Sequence, residues 1–342
     1  MRAARELLRM PGLVDLQVNG YAGVDFNGPE LGADRLDRAS EALRRDGIVA
    51  FLPTIVTAPP DFLLRRIALL SSASNGTMHG TGSFGHMALG IHLEGPFISP
   101  FDGPRGAHDA HCVIDPDLGL MEELYAASGG SLKILTLAPE RPGGIGLVEW
   151  CVTHGVKAAI GHTCADSATI DRAVAAGASL STHLGNGCHL NLPRHPNYIW
   201  DQLAADRLMA SIIADGHHLP SAFMRVAWKV KGARLVLVSD ATRFTGMPHG
   251  VYQSNIGGTV RLEADGRLSV ADKPSTLAGA ATPLIKGVQR IVDEGIANLD
   301  EAWRAASTVP ARFLGIERPL GHVMYDAKTG IVEETVLDLE DR

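Results

Sequence analysis

The sequence predicts a (β/α)8 barrel, and three observations carry that prediction. The first is length: 342 residues hold one such barrel, which takes roughly 250 residues, with room for a small appendage. The second is an alternation of short, β-branched apolar runs with helical stretches, the pattern of parallel strands joined by crossover helices. The third is where the polar residues fall. Six of the eight apolar runs end in, or are soon followed by, side chains of catalytic type, and active sites of barrel enzymes lie at the C-terminal ends of their strands.

The eight runs are Leu13–Asn19, Val49–Val56, Met87–Gly95, Leu132–Glu140, Val156–Thr163, Leu180–Asn186, Met209–Asp215 and Leu235–Thr242. All are too apolar to present a wet face, as strands covered by helices outside and packed layers inside should be. Between them lies helix punctuation. Asp166 reads as an N-cap, Ile170, Ala173 and Val174 as one buried face, and Gly177 as the stop; Asp34 to Gly47 reads in the same way. Beyond the eighth run, Val251 to Ala271 alternates apolar and polar positions around Asp265-Gly266, a hairpin signal, so a β-hairpin insertion is expected there. The tail reads as helix from about Ala280 to Glu294 and from Leu299 to Thr308, then as short strand-like pieces.

Composition removes several classes of function. Hydrophobic residues at 45% and charged residues at 20% describe an ordinary globular enzyme. A formal charge of −7 offers no general attraction to nucleic acid or anionic lipid, so an anionic ligand has to be met by local cations. The basic start MRAARELLRM lacks the apolar stretch of a signal peptide, and no run approaches the ~20 apolar residues of a membrane span. A cytoplasmic protein with no membrane or nucleic-acid partner is expected. Cys112, Cys151, Cys164 and Cys188 form no CxxC pair, which predicts reduced thiols and neither a disulfide framework nor a thiolate metal site.

The chemistry gathers at strand ends. Glu94 closes the third run in Gly90-Ile-His-Leu-Glu-Gly-Pro96, His162 the fifth in Ile160-Gly-His-Thr163, and His183 the sixth in Ser181-Thr-His-Leu184. A lone strand-end glutamate is more often a structural hydrogen-bond acceptor, and a lone histidine is as often a satisfied core residue. The combination is more specific, because one carboxylate and two imidazoles with an open position make a ligand set used by catalytic zinc. Asp240, in Leu237-Val-Ser-Asp-Ala-Thr242, ends the eighth run at the same mouth. It could merely cap the following turn; beside an activated water it becomes a general base and then an acid for the leaving nitrogen.

Seven pieces in order make a resemblance specific: Pro11-Gly-Leu-Val-Asp-Leu-Gln-Val-Asn-Gly20, His92-Leu-Glu-Gly-Pro96, Leu137-Ala-Pro-Glu140, Gly161-His162, Thr182-His-Leu-Gly-Asn186, Ala214-Asp-Gly-His-His218 and Ser239-Asp-Ala-Thr242. Over residues 11 to 315 the chain resembles the N-acetylglucosamine-6-phosphate deacetylases of the amidohydrolase superfamily. The resemblance implies that Glu94, His162 and His183 bind one divalent metal ion, zinc or else iron or another such ion, and that Asp240 is the acid/base. It implies that His108 contacts the acetamido carbonyl, that Asn186 and Gly187 contact the sugar phosphate through their backbone, and that His218, with His217 the weaker candidate, contacts the sugar. Arg194 stands where the family has an arginine that reaches the phosphate in the neighbouring subunit, which implies a homodimer with shared sites.

Departures from the superfamily pattern narrow the reading further. Where many amidohydrolases carry His-x-His at the end of the first strand, this chain has Gln17-Val-Asn19, and Lys133 lies at the start of the fourth run with no lysine at its end. One metal is therefore expected, without a carbamate bridge. Only residues 1–10 and 316–342 are left for the family's small β domain, which should be strongly reduced. The loop from Gly187 to Asp201 diverges from better-known members, so a different N-acyl sugar, with or without phosphate, is the main competing substrate. A cyclic amidohydrolase and a non-catalytic sugar-phosphate sensor are weaker alternatives.

Overall fold

A computed structural model describes residues 7–338 of the chain. Each of the eight apolar runs coincides with one strand of a parallel barrel, the second starting one residue before its run: Leu13–Val18, Ile48–Val56, Ile91–Glu94, Leu132–Leu137, Lys157–Ile160, Leu180–Ser181, Met209–Ile213 and Leu235–Val238. They are hydrogen-bonded in chain order, and alternate positions face opposite ways. Val14, Leu16, Ile134, Val236 and Val238 fall in one cluster that also takes Leu52, Ala159 and Ile213 from other strands. Leu13, Leu135, Leu137, Leu235 and Leu237 pack instead with helix residues such as Leu36, Leu63 and Met224. The first cluster is the barrel interior and the second is the jacket.

Closure between the first and eighth strands uses little regular ladder. Val18 bridges Ala241, the backbone N–H of Asn19 donates to Ala241 O at 2.7 Å, and the N–H of Ser239 donates to the buried Asp15 carboxylate at 3.2 Å. A side-chain oxygen thus takes a backbone donor at the seam, close to where Asp240 emerges.

The expected helix signals hold locally. The Asp166 carboxylate accepts from Thr169 N at 2.8 Å to open helix Ser167–Ala176, and Gly177 ends it with φ 111°. Helix Ala33–Arg45 runs close to its expected span, and helices Leu284–Asp293 and Leu299–Ala305 fall inside theirs. In the third run, Met87 belongs to the short helix Gly82–Met87, and the strand begins only at Ile91. An apolar run alone does not separate a buried helix end from a strand.

Two small sheets accompany the barrel. Leu7–Pro11 pairs antiparallel with Gly321–Asp326, which pairs with Ile331–Leu337, so the small β unit is three strands drawn from both ends of the described chain. The insertion after the eighth strand is larger than one hairpin. Gly250–Gln253, Thr259–Leu262, Leu268–Val270 and Lys273–Leu277 form a four-stranded antiparallel meander around Phe244, Val260, Leu262 and Leu268. Its last strand contains Pro274 and polar residues without alternation, so nothing in its pattern signals a strand; it is tolerated at a sheet edge. No helix among the described residues is long and apolar enough to cross a membrane.

Candidate metal centre and active-site cleft

A cavity of about 590 Å³ opens at the C-terminal ends of the strands. Glu94 is the last residue of its strand, whereas His162, His183 and Asp240 each stand two residues beyond theirs. These three have φ of 50°, 29° and 50°, and Ala22 is the one other described non-glycine residue with positive φ. Left-handed backbone at such residues costs of order 1–3 kcal/mol each and persists where the surroundings over-determine it. Here the strain turns each side chain sharply off its strand into the mouth.

The ligand atoms of Glu94, His162 and His183 all lie within 4.8 Å of one another, and all three residues are buried. Glu94 Oε1 is 3.0 Å from His162 Nε2 and 2.8 Å from His183 Nε2, and the two Nε2 atoms are 3.1 Å apart. Pro104 O lies 2.8 Å from His162 Nδ1; a carbonyl only accepts, so the ring proton sits on Nδ1 and Nε2 presents a lone pair. Lone pairs facing a carboxylate oxygen and a second imidazole nitrogen need a cation or a proton between them. Burial alone would raise the Glu94 pKa, but its bonds to the two histidines hold it well below the usual carboxylate value. Burial likewise opposes a charge on His183, and Glu94 outweighs it, raising that histidine. One carboxylate and two imidazoles suit a divalent ion such as zinc or iron. Among the described residues this is the one such convergence.

Glycines make room for this cluster. A Cβ on Gly187, whose φ is 55°, would stand 2.7 Å from His162 Nδ1, and one on Gly106 would stand 3.3 Å from His162 Cε1. Behind His162, the Glu140 carboxylate accepts from the Thr163 hydroxyl at 2.5 Å and from Cys164 N at 2.8 Å, which fixes the turn.

Asp240 Oδ1 accepts from Asn19 Nδ2 at 2.7 Å and from Gln17 Nε2 at 3.1 Å. Both amides of the unusual strand-one pair are therefore turned onto the carboxylate. Burial, and then the negative charge of Glu94, push Asp240 up to about 6. Burial also pushes Asp15, beneath the seam, up to about 7.

His108 is buried with its ring edge-on to His162 at 4.4 Å, and its Nδ1 is 2.8 Å from Thr57 Oγ1. Burial and the neighbouring His162 lower it to about 3, so it is neutral. His218 Nδ1 meets Asp215 Oδ2 at 2.8 Å, while Asp215 Oδ1 takes the backbone N–H groups of His217 and His218. Burial would raise Asp215, but the bond to His218 outweighs it and holds the carboxyl at about 2.

Asn186 and Gly187 line the cavity, with Asn186 Nδ2 donating to His183 O at 3.1 Å. In the loop from Gly187 to Asp201, His189 contacts the Tyr198 hydroxyl through both its backbone N and Nδ1, each at 2.9 Å, folding the loop back on helix Tyr198–Ala204. Arg194 is exposed and outside the cavity wall. The four cysteines are all unpaired.

Sequence reasoning passed over Thr57 and Asp215, and it overlooked Arg267, Lys273, Ser275 and Thr276 of the insertion, which line the cavity. The Ala214-Asp-Gly-His-His218 piece already held Asp215, three residues before its histidine, and could have flagged that pair. Nothing local marks the others.

Comparison with known proteins follows the same lines. Residues 8–326 match the model of the amidohydrolase family. The chain is 32% identical to an N-acetylglucosamine-6-phosphate deacetylase of Vibrio furnissii, over 91% of this chain and 75% of the relative. It is 30% identical to an N-acetylgalactosamine-6-phosphate deacetylase of Escherichia coli O157:H7, over 95% and 83%. Its structure is similar, at TM-score 0.87 and 29% identity over 98% and 88% of the two chains, to a mutant N-acetylglucosamine-6-phosphate deacetylase of Mycobacterium smegmatis in complex with N-acetylglucosamine-6-phosphate.

Proposed function

Since the chain belongs to the amidohydrolase family and, within it, to the N-acetylglucosamine-6-phosphate deacetylases, we propose that it hydrolyses N-acetylglucosamine-6-phosphate to glucosamine-6-phosphate and acetate. The observation that carries this reading is the convergence of Glu94, His162 and His183 beside a carboxylate, Asp240, with one oxygen already held by two amides.

Glu94, His162 and His183 would hold one divalent ion, zinc or a similar metal, which when bound would supply Lewis acidity and make water a nucleophile near neutral pH. Gln17 and Asn19 turn their amide nitrogens onto Asp240 and offer no imidazole pair for a second ion, which supports a single-metal site. Asp240 accepts the water proton as the new C–O bond forms at the acetyl carbon, and Oδ2 is the oxygen that takes it because Oδ1 is occupied. His108 faces the developing oxyanion. Thr57 has one hydroxyl proton and lies nearer His108 Nδ1, at 2.8 Å, than the Glu94 carbonyl, at 3.5 Å. We assign its proton to the shorter contact, so that Thr57 donates to Nδ1 and the ring proton sits on Nε2 as a donor to the oxyanion. Asp240 then returns its proton to the sugar nitrogen as the C–N bond breaks.

His218, held by Asp215, and the backbone of Asn186 and Gly187 complete the sugar and phosphate wall. Arg194, free on the surface, reaches the phosphate in a second subunit, so the enzyme works as a homodimer. The four free cysteines suit a reducing compartment, and we place it in the cytoplasm. Likeness to a galactosamine-6-phosphate enzyme, together with the divergent loop from Gly187 to Asp201, favours one second reading, the epimeric amino sugar in the same chemistry.

The assignment is tested with Asp240→Asn. Turnover should fall by about a thousandfold or more, while metal content, measured by atomic absorption, stays at one per chain. Full activity in that variant would remove Asp240 from the mechanism.

A further inference from the structure

The cavity is lined by groups of both charges. Glu94, Asp240 and Asp102 contribute carboxylates, and the four-stranded insertion contributes Arg267 and Lys273. Those two are the only lysine or arginine side chains among the described residues that line it. In a chain of net charge −7, such local cations are what an anionic substrate group would meet.

The two cations are not equivalent. Lys273 Nζ lies 3.5 Å from Asp102 Oδ2, and the same carboxylate pairs with Arg105 through its other oxygen. Its charge is partly offset by a carboxylate that also serves Arg105. Arg267 is half-buried, and its Nη2 donates to the carbonyl of Pro274, a neutral acceptor. No carboxylate of the described residues stands within ion-pair distance of it. An unmatched, partly desolvated guanidinium in a cavity wall is suited to an oxyanion, which it can bind through paired N–H groups.

Its position is also fixed. Glu263 N donates to Arg267 O at 2.9 Å across the Asp265-Gly266 turn, where Gly266 has φ 90°. His217 Nε2 lies 3.1 Å from Asp265 O, so the hairpin bearing Arg267 is tied to the same loop as His218. The turn cannot drift from the sugar-binding wall without breaking that bond.

We propose that Arg267 is an anion-recognition residue of this site, supplied by the chain's own insertion, and that it binds the phosphate of the amino sugar from within the same subunit. This role rests on the deacetylase reading and deepens it by naming a specificity determinant distinct from Arg194. Lys273 lies close by as a second cation whose charge is already shared with Asp102.

The test is isothermal titration of metal-loaded protein with glucosamine-6-phosphate and with glucosamine. The wild type should prefer the phosphorylated sugar by about tenfold to a hundredfold, as a hydrogen-bonded charge pair implies. Arg267→Met should remove most of that preference, and Arg267→Lys should keep part of it, which also shows that the hairpin still folds. An unchanged preference in Arg267→Met, or no preference in the wild type, overturns the proposal. Acetate release from N-acetylglucosamine-6-phosphate by the wild type is scored separately. An inactive protein that still prefers the phosphorylated sugar through Arg267 would remove the deacetylase reading and keep the anion site.

Discussion

Asn19 Nδ2 lies 2.7 Å from Asp240 Oδ1, and this bond ties the end of the first barrel strand to the end of the eighth across the seam where the barrel closes. Many amidohydrolases use the first strand for metal ligands. In this chain its two amides grip the Asp240 carboxylate instead, with Gln17 adding a second bond at 3.1 Å. The same carboxylate sits in a left-handed backbone conformation that the seam must hold.

Replacing Asn19 by Leu should lower kcat by about 10- to 100-fold, the scale of a misplaced general base, without loss of metal. The amide bond lowers the Asp240 pKa, so its removal raises it. Because the base must be ionised, the acidic limb of kcat/KM should move to higher pH in the variant. A pH profile that shifts downward, or stays in place, contradicts the assignment.

Asp15 offers a stability test with a defined sign. Burial pushes its folded-state pKa up to about 7 from an ordinary 3.8, so between those values the folded chain holds a proton that the unfolded chain has released. Stability then falls as pH rises through that window, by about 1.4 kcal/mol per pH unit for one proton, and levels off above the folded pKa. Asp15→Asn cannot ionise, so its melting temperature at fixed metal occupancy should fall less steeply than the wild type's between about pH 5 and 7. Parallel curves would mean that Asp15 is not the buried acid described here.

Gly187→Ala should weaken metal binding. The added methyl would stand 2.7 Å from His162 Nδ1, at a backbone φ of 55° that disfavours alanine. Displacing the imidazole also disturbs its bond to Pro104 O. Disruption of such supporting contacts costs on the order of 10- to 100-fold in metal affinity, measurable by competition with a chromophoric chelator. Unchanged affinity would show that the loop yields instead of the ligand.

Thr57→Val removes the hydroxyl that sets the His108 tautomer while keeping its volume. Turnover should drop by about tenfold or more, as loss of an oriented oxyanion donor implies, with metal content unaffected. Wild-type turnover in this variant would free His108 from its proposed role.

The barrel was legible because its eight runs are short and mostly apolar, and because strand ends such as Glu94 and Asp240 close them with charge. His162 and His183 could be grouped with Glu94 from strand order alone, since successive parallel strands deliver their ends to one mouth. Partners lying across the fold were not legible. Thr57 meets His108 across 51 positions and the Asn19 amide meets Asp240 across 221, distances at which sequence carries no pairing signal. Nothing in the alternation around Asp265-Gly266 marks Arg267, which lines the cavity because the meander packs beside it. The strand Lys273–Leu277 was hidden by Pro274 and by the lack of any apolar alternation.

The central claim is tested most directly by amine release from metal-loaded protein supplied with N-acetylglucosamine-6-phosphate, its unphosphorylated form, or N-acetylgalactosamine-6-phosphate. The account predicts rapid release from the first and a marked loss when the phosphate is absent. Release from none of the three, with one metal bound per chain, would contradict it.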